Sequence, residues 1–300
     1  MGKLSCQIGD LSLKNPLIMA SGTYGFGEIY SKFYDPSLVG GISSKGLTYP
    51  PKEGNEGIRI WETPSGIMNS IGLENPGLKT FIQEIYPQMR KLDTALILNL
   101  GGNCMEDYLE GVALLNDLDI DILELNISCP NVKEGGLAFG LKAESARAIT
   151  QEVVQISRHP VMVKLSPNGD SVADLAQACQ EAGAAALSLV NTFQAMAIDV
   201  DKRQAVFDNI YAGLSGPAIY PIALRMVHQV VQAVDIPVVG IGGVSSARDV
   251  LGMIMAGAQA VQIGTGNLVR PGLVPEILRD LEAYMDREGL TSLDEIRGIL

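Results

Sequence analysis

The chain has 300 residues, 47% of them hydrophobic, and 34 acidic against 22 basic side chains give a formal charge of −12. That much apolar material excludes a disordered chain, and the acidic balance argues against nucleic acid as a partner, because phosphate backbones select clustered Lys and Arg. Four cysteines, Cys6, Cys104, Cys129 and Cys179, form no Cys-x-x-Cys pair; no zinc ribbon or iron–sulfur cluster is read here, and the sparse usage fits a reducing compartment.

In chain order, the first fourteen residues are polar and alternating, with no apolar signal core. No apolar run is long enough to span a membrane, so a cytoplasmic location with no membrane association is expected. Residues 4–8 and 11–13, around Gly9-Asp10, read as a short hairpin placed to cap the bottom of a barrel. Strand-sized apolar runs follow at 16–20, 39–44, 95–100, 122–127, 161–165, 186–190, 237–241 and 260–263. They are continuous rather than alternating, as strands covered on both faces are.

Helical stripes lie between them. Val172, Leu175, Ala176, Cys179 and Ala182 follow one helical face, as do Ile219, Ile222, Ala223, Met226, Val227, Val230, Val231 and Val234. Ser246 with Asp249 predicts a capping box opening a helix through Val250, Leu251, Ile254 and Met255. A doubly wound open sheet shares these local signals, but strand count and length favour a parallel (β/α)8 TIM barrel, with residues 1–300 as a single catalytic domain. Two connections exceed a plain loop: 46–77, with four prolines and six glycines, and 191–216. Loops this long in a compact domain are usually functional.

The strand ends carry the chemistry, because barrel active sites lie at the C-terminal face. Ser21, Lys45, Asn99, Asn126, Lys164, Asn191 with Thr192, Gly242-Gly243 and Gly264-Thr265-Gly266 end apolar strands and would form a polar bowl. Gly240-Ile-Gly-Gly and Gly264-Thr-Gly resemble halves of a phosphate cradle; plain tight turns are the alternative. Lys45 and Lys164 suit an anionic ligand or a reduced, negatively charged ring, though either alone could be a snorkelling surface residue. Cys129, in a glycine-rich loop past a strand end, could be a nucleophile or proton acceptor. Cys6 and Cys179 read as structural, and Cys104 stays ambiguous. His159 sits at a strand's N-terminal end and His228 inside a helix, so neither a His triad nor a metal site is expected. The eleven methionines read as packing.

Four segments, Asn126-Ile-Ser-Cys-Pro-Asn-Val, Asn69-Ser-Ile-Gly-Leu-Glu-Asn75-Pro-Gly, Lys45-Gly46 and Gly240-Ile-Gly-Gly-Val, closely resemble the class 1 dihydroorotate dehydrogenases, in order along essentially the whole chain. The resemblance implies FMN held by Ser21, Lys45, Gly46, Asn99, Asn126, Lys164, Val190, Gly216, Gly242, Gly243, Gly264 and Thr265. It implies dihydroorotate or orotate held by Lys45, Asn69, Ser70, Ile71, Gly72, Leu73, Asn126, Asn191 and Thr192. Cys129 would be the base that takes a proton from C5 while hydride leaves C6 for the flavin, with Lys164 stabilising charge on the reduced ring. The 129–140 loop, hinged at Gly135-Gly136, would close over the substrate.

The Val132-Lys-Glu-Gly-Gly continuation resembles the NAD-linked type 1B, in which a partner subunit carries FAD and a 2Fe-2S cluster. A homodimer assembled with that subunit into a heterotetramer is therefore expected. The fumarate-linked class 1A enzyme and a related dihydropyrimidine flavoprotein are the neighbouring alternatives; a colourless, non-redox phosphate-binding barrel is the remote one.

Overall fold

The structure, a computed structural model, describes residues 2–128 and 139–300. Eight parallel strands close into a barrel: β1 (Leu17–Met19), β2 (Gly41–Ser43), β3 (Ala95–Leu100), β4 (Ile122–Asn126), β5 (Val161–Lys164), β6 (Ala186–Leu189), β7 (Val238–Ile241) and β8 (Ala260–Ile263). Each falls within an apolar run of the sequence, and β8 pairs with β1 to complete the (β/α)8 ring. Almost every strand residue is buried, because the ring interior takes one face and the surrounding helices the other.

The hairpin Cys6–Ile8 with Leu11–Leu13 forms in the expected place. Its Cys6, Ile8 and Leu13 join Ile18, Ile97, Ile122, Met162, Ala186, Val239 and Ala260 in one apolar cluster, which draws a residue from seven different strands and seals the N-terminal end of the barrel. Burial pushes the Cys6 thiol up to about 12 and the Cys179 thiol up to about 11, so both behave as packing residues.

The helix Val172–Glu181 buries Val172, Leu175, Ala176 and Cys179 of its predicted stripe, and the helix Tyr220–Val231 buries Ala223, Met226, Val227 and Val230, whereas Ile222 of that stripe is exposed. The helix Ala247–Met255 is capped as foreseen by the Ser246 hydroxyl, which accepts from the Asp249 N–H. The Asp249 carboxylate, however, reaches the Ser245 N–H at 2.9 Å rather than that of Ser246, so the cap spans one residue more than a capping box. His159 lies away from the mouth, with its ring nitrogen 3.1 Å from the Leu115 carbonyl. Among the described residues no helix is long and apolar enough to cross a membrane.

The two long connections do not stay separate. Residues Ile60–Thr63 and Gly66–Asn69 of the first pair with Phe193–Met196 and Tyr211–Ser215 of the second in a four-stranded antiparallel sheet. Asn69 stands opposite Gly213, so this sheet carries residues of the first connection to residues of the second.

Candidate active site

Strand pairing brings the polar strand ends together. Lys164, the last residue of β5, is in register with Asn126 of β4 on one side and Ser188 of β6 on the other. It is 5% exposed, and its ammonium group makes no hydrogen bond to another described residue. A buried cation in that condition needs a compensating charge. Glu124, one turn of the strand pleat deeper, supplies one: its carboxylate lies wholly inside the barrel. Its Oε2 accepts from Ser43 Oγ and Asn99 Nδ2, both at 2.6 Å, and its Oε1 from Ser188 Oγ at 2.8 Å and Gln262 Nε2 at 2.7 Å. Burial pushes the Glu124 carboxyl up, but the nearby Lys164 charge and the hydrogen bonds from Ser43, Asn99 and Gln262 outweigh it and hold it below the usual carboxylate value.

From Glu124 a chain of side-chain bonds climbs to the mouth. Asn126 Nδ2 donates to Asn99 Oδ1 at 3.2 Å, Ser128 Oγ donates to Asn126 Oδ1 at 2.6 Å, and Asn191 Nδ2 donates to Ser128 Oγ. Asn191 Oδ1 then accepts the Thr192 N–H at 2.7 Å. Three of the predicted asparagines thus form one connected network. Asn69 lies in another group: its Nδ2 donates to the Gly213 carbonyl at 3.3 Å, and a methyl group at Gly213 would overlap the Thr192 hydroxyl. Asn69 and Thr192 therefore meet across a single glycine.

The connection 46–77 is pinned by Asn75. Its Oδ1 accepts from the Thr48 and Gly77 N–H groups, and its Nδ2 donates to Thr48 Oγ1 and the Leu73 carbonyl. Those four bonds hold Leu73 at a φ of 55°, which swings its side chain to within 3.2 Å of where a Gly46 methyl would be, with Asn99 Oδ1 at 3.1 Å from the same point. Gly46, Leu73, Asn99 and, at 3.8 Å, Ser21 are hence neighbours. Ser70 turns instead to the loop itself, its hydroxyl accepting from Asn55 and Asn209, while the Ile71 carbonyl accepts from the Asn55 N–H. Lys45 is half-buried, its N–H bonded to the Gly25 carbonyl at 3.0 Å.

At the other side of the mouth, Gly216, Gly242 and Gly243 have φ of 96°, 128° and 72°. A methyl group on Gly242 would lie 2.7 Å from Ala223 Cβ and 3.3 Å from Val190 Cγ2, and one on Gly243 would lie 2.6 Å from Tyr220 Cβ. The turn after β7 is thereby pressed onto the start of the helix Tyr220–Val231. The Thr265 hydroxyl donates to Ser215 Oγ at 2.8 Å, which ties the Gly264-Thr265 turn to the residue before Gly216. Replacing Gly243 with Ala combines positive φ with that collision and is expected to lower the unfolding free energy by about 2 kcal/mol. Gly272, with no other described residue's atoms within 4 Å of an added methyl group, should tolerate Ala within about 0.5 kcal/mol, and urea unfolding of the two variants measures both effects.

The structure thus joins Asn99, Asn126, Asn191 and Thr192 in one row beside Lys164, sets Asn69 across Gly213 from Thr192, places Ser21, Gly46 and Leu73 around Asn99, and brings Gly242 against Val190, Gly243 against Tyr220, and Gly216 beside Thr265. Cys129 and the Gly135-Gly136 hinge lie outside the described residues. Sequence reasoning missed Ser43, Glu124, Ser188 and Gln262, which form the polar layer beneath the bowl. Their signal was one polar residue inside each apolar strand, and the charged Glu in Ile122-Leu-Glu-Leu-Asn126 is the clearest of these.

The mouth fits a flavin mononucleotide in its chemistry. Amide and ammonium groups suit the polar edge of a flat ring, and the Gly264-Thr265 turn, with the Thr265 and Ser215 hydroxyls 2.8 Å apart, offers donors of the kind a phosphate takes.

The model of the family described as dihydroorotate dehydrogenase matches residues 3–285. A protein of Petrotoga mobilis named dihydroorotate dehydrogenase B (NAD(+)), catalytic subunit, is 53% identical over 293 residues, 98% of each chain. Proteins of the same name from Thermoanaerobacter pseudethanolicus and Bacteroides thetaiotaomicron are 46% identical over 297 residues, covering 99% of this chain and 98% of the relative, and 44% identical over 301 residues, covering 100% and 99%. The chain belongs to the dihydroorotate dehydrogenase family.

Proposed function

We infer that this chain is the catalytic subunit of an NAD-linked, type 1B dihydroorotate dehydrogenase, which oxidises (S)-dihydroorotate to orotate in pyrimidine biosynthesis in the cytoplasm. The observation that carries the reading is the buried Lys164 at the head of the Glu124–Asn99–Asn126–Ser128–Asn191 network. A permanent cation and a fixed row of amides at the mouth of a barrel are what a ring with anionic and imide edges requires.

FMN is held on its ring side by Ser21, Lys45, Gly46, Asn99, Asn126, Lys164 and Val190, and on its phosphate side by Gly216, Gly242, Gly243, Gly264 and Thr265. When bound, it supplies the acceptor for the hydride that leaves substrate C6. The chain's own groups do the rest. Asn69, Asn126, Asn191 and Thr192 hold the polar edges of the pyrimidine, whose ring complements amide donors and acceptors in pairs. Lys45 attracts the carboxylate, and residues 70–73 form the wall that excludes water. The Cys129 thiolate takes the C5 proton on Sγ and later releases it to solvent. Lys164 keeps a positive charge where negative charge develops.

The names of the relatives, which specify a catalytic subunit and NAD(+), support a separate electron-transfer subunit. That subunit carries FAD and a 2Fe-2S cluster and assembles with a homodimer of this chain into a heterotetramer.

The test is the visible spectrum of the purified chain, taken anaerobically before and after dihydroorotate. A flavin band that bleaches on addition is the expected result. A yellow protein that does not bleach would turn the reading to another dihydropyrimidine. A colourless one that stays so after incubation with FMN would turn it to a non-redox barrel.

A further inference from the structure

We propose that Glu124 is the positioning residue of this site: from the barrel interior it fixes which way round the amides of Asn99, Asn126 and Asn191 face. The inference rests on the flavin-dependent reading above. An ionised carboxylate can only accept hydrogen bonds, and Glu124 takes four. Because Oε2 accepts from Asn99, the Asn99 amide must point its NH2 group down and its oxygen up. Asn126 then has an acceptor below it and must donate Nδ2 downward, which leaves Asn126 Oδ1 facing Ser128. Ser128 gives its only proton to that oxygen and can meet Asn191 only as an acceptor, so Asn191 is turned as well. Each amide has two orientations of equal shape; Glu124 selects that of Asn99 and starts the row, to which the Ser128 N–H on Asn126 Oδ1 at 3.3 Å and the Thr192 N–H on Asn191 Oδ1 at 2.7 Å add backbone anchors in the same sense. A pyrimidine dione reads donors and acceptors in order, so the wrong orientation at any of these positions would set two donors or two acceptors against each other.

The two carboxylate oxygens serve different partners, which makes the idea testable. Asn99 is on Oε2, and Ser188 and Gln262 are on Oε1. Gln262 Oε1 is buried and has no hydrogen-bond partner among the described residues. A glutamine at position 124 can therefore keep its oxygen on Asn99 and turn its NH2 group toward Ser188 Oγ and a flipped Gln262. The row survives in E124Q and fails in E124M, which offers no acceptor. A third arm exchanges the polarity of the first link. N99D sets a second carboxylate against Glu124, and in N99D/E124Q the new amide at position 124 donates to the new carboxylate at position 99. The upper oxygen of that carboxylate still accepts from Asn126.

The experiment measures FMN affinity of the stripped chain by flavin fluorescence quenching, and orotate affinity of the reloaded chain by perturbation of the flavin spectrum. Thermal unfolding runs in parallel. E124Q and E124M both remove the charge that compensates Lys164, so the comparison is between the two: E124M is expected to bind orotate at least tenfold more weakly than E124Q, the difference falling on KM more than kcat. N99D is expected to lose at least tenfold, and N99D/E124Q to recover most of it. A folded E124M that binds orotate as wild type does would overturn the proposal. If E124M does not fold, a double variant that folds but recovers nothing over N99D would overturn it equally. A folded E124Q that binds orotate as weakly as a folded E124M would overturn it too, by assigning the effect to charge rather than orientation. Wild-type chain that takes up no FMN at all would fail the flavin reading itself, and this inference with it.

Discussion

Replacing Lys164 with Met is expected to weaken FMN binding by about 10- to 100-fold, the value of one hydrogen bond to a charged group. Met keeps the length of the side chain and removes the charge, and β5 has no other cation at the mouth. The loss should be nearly insensitive to salt, because the ammonium group is almost wholly buried and screening acts mainly on exposed charges. Titrating FMN into stripped protein checks it, and unchanged affinity would remove Lys164 from the flavin-binding set.

The same variant has a second signature. Glu124 is held below its ordinary carboxylate value in part by the Lys164 charge, so its contribution to stability is present above the unfolded value and lost as pH falls through the folded one. Without Lys164 the folded value rises. K164M should therefore begin to lose stability at higher pH than wild type, which urea unfolding across the acid range would reveal.

Replacing Cys129 with Ala is expected to slow reduction of the flavin by dihydroorotate by about 10²- to 10⁴-fold, the usual contribution of a positioned general base, with FMN affinity unchanged. Ser128, its neighbour in the chain, bridges Asn126 and Asn191. The sign of the pH dependence follows from the thiol. Only the thiolate accepts a proton, so the wild-type rate should climb with pH toward the ordinary thiol value near 8.5. In the Ala variant the climb should vanish. Anaerobic stopped-flow absorbance measures both; a variant that keeps the wild-type rate and slope would assign the base elsewhere.

What could be read before any coordinates divides along physical lines. Asn99, Asn126 and Lys164 were legible because each ends a run of apolar residues, and a polar group there must face the barrel mouth. Glu124 was not, although it accepts four side-chain hydrogen bonds. A strand covered on both faces reads as uniformly apolar, and one charge in its middle is visible only once the neighbouring strands supply Ser43, Ser188 and Gln262. The role of Asn75 was also hidden. Its motif marks it, but its four bonds hold the turn at Leu73 and touch no ligand group. The pairing of Asn69 with Gly213 lies beyond local pattern altogether, because each connection alone looks like a glycine- and proline-rich loop, and the sheet exists only when the two are side by side.

That pairing also sets an order of assembly. Asn69 and Gly213 are separated by four of the eight barrel strands, β3 to β6, together with their helices. Contacts so distant in sequence carry a large loop-closure cost until the intervening chain is compact. The sheet is therefore expected to form only once β3 to β6 and their helices have packed, an order that hydrogen exchange at residues 66–69 and 211–215 during refolding would reveal.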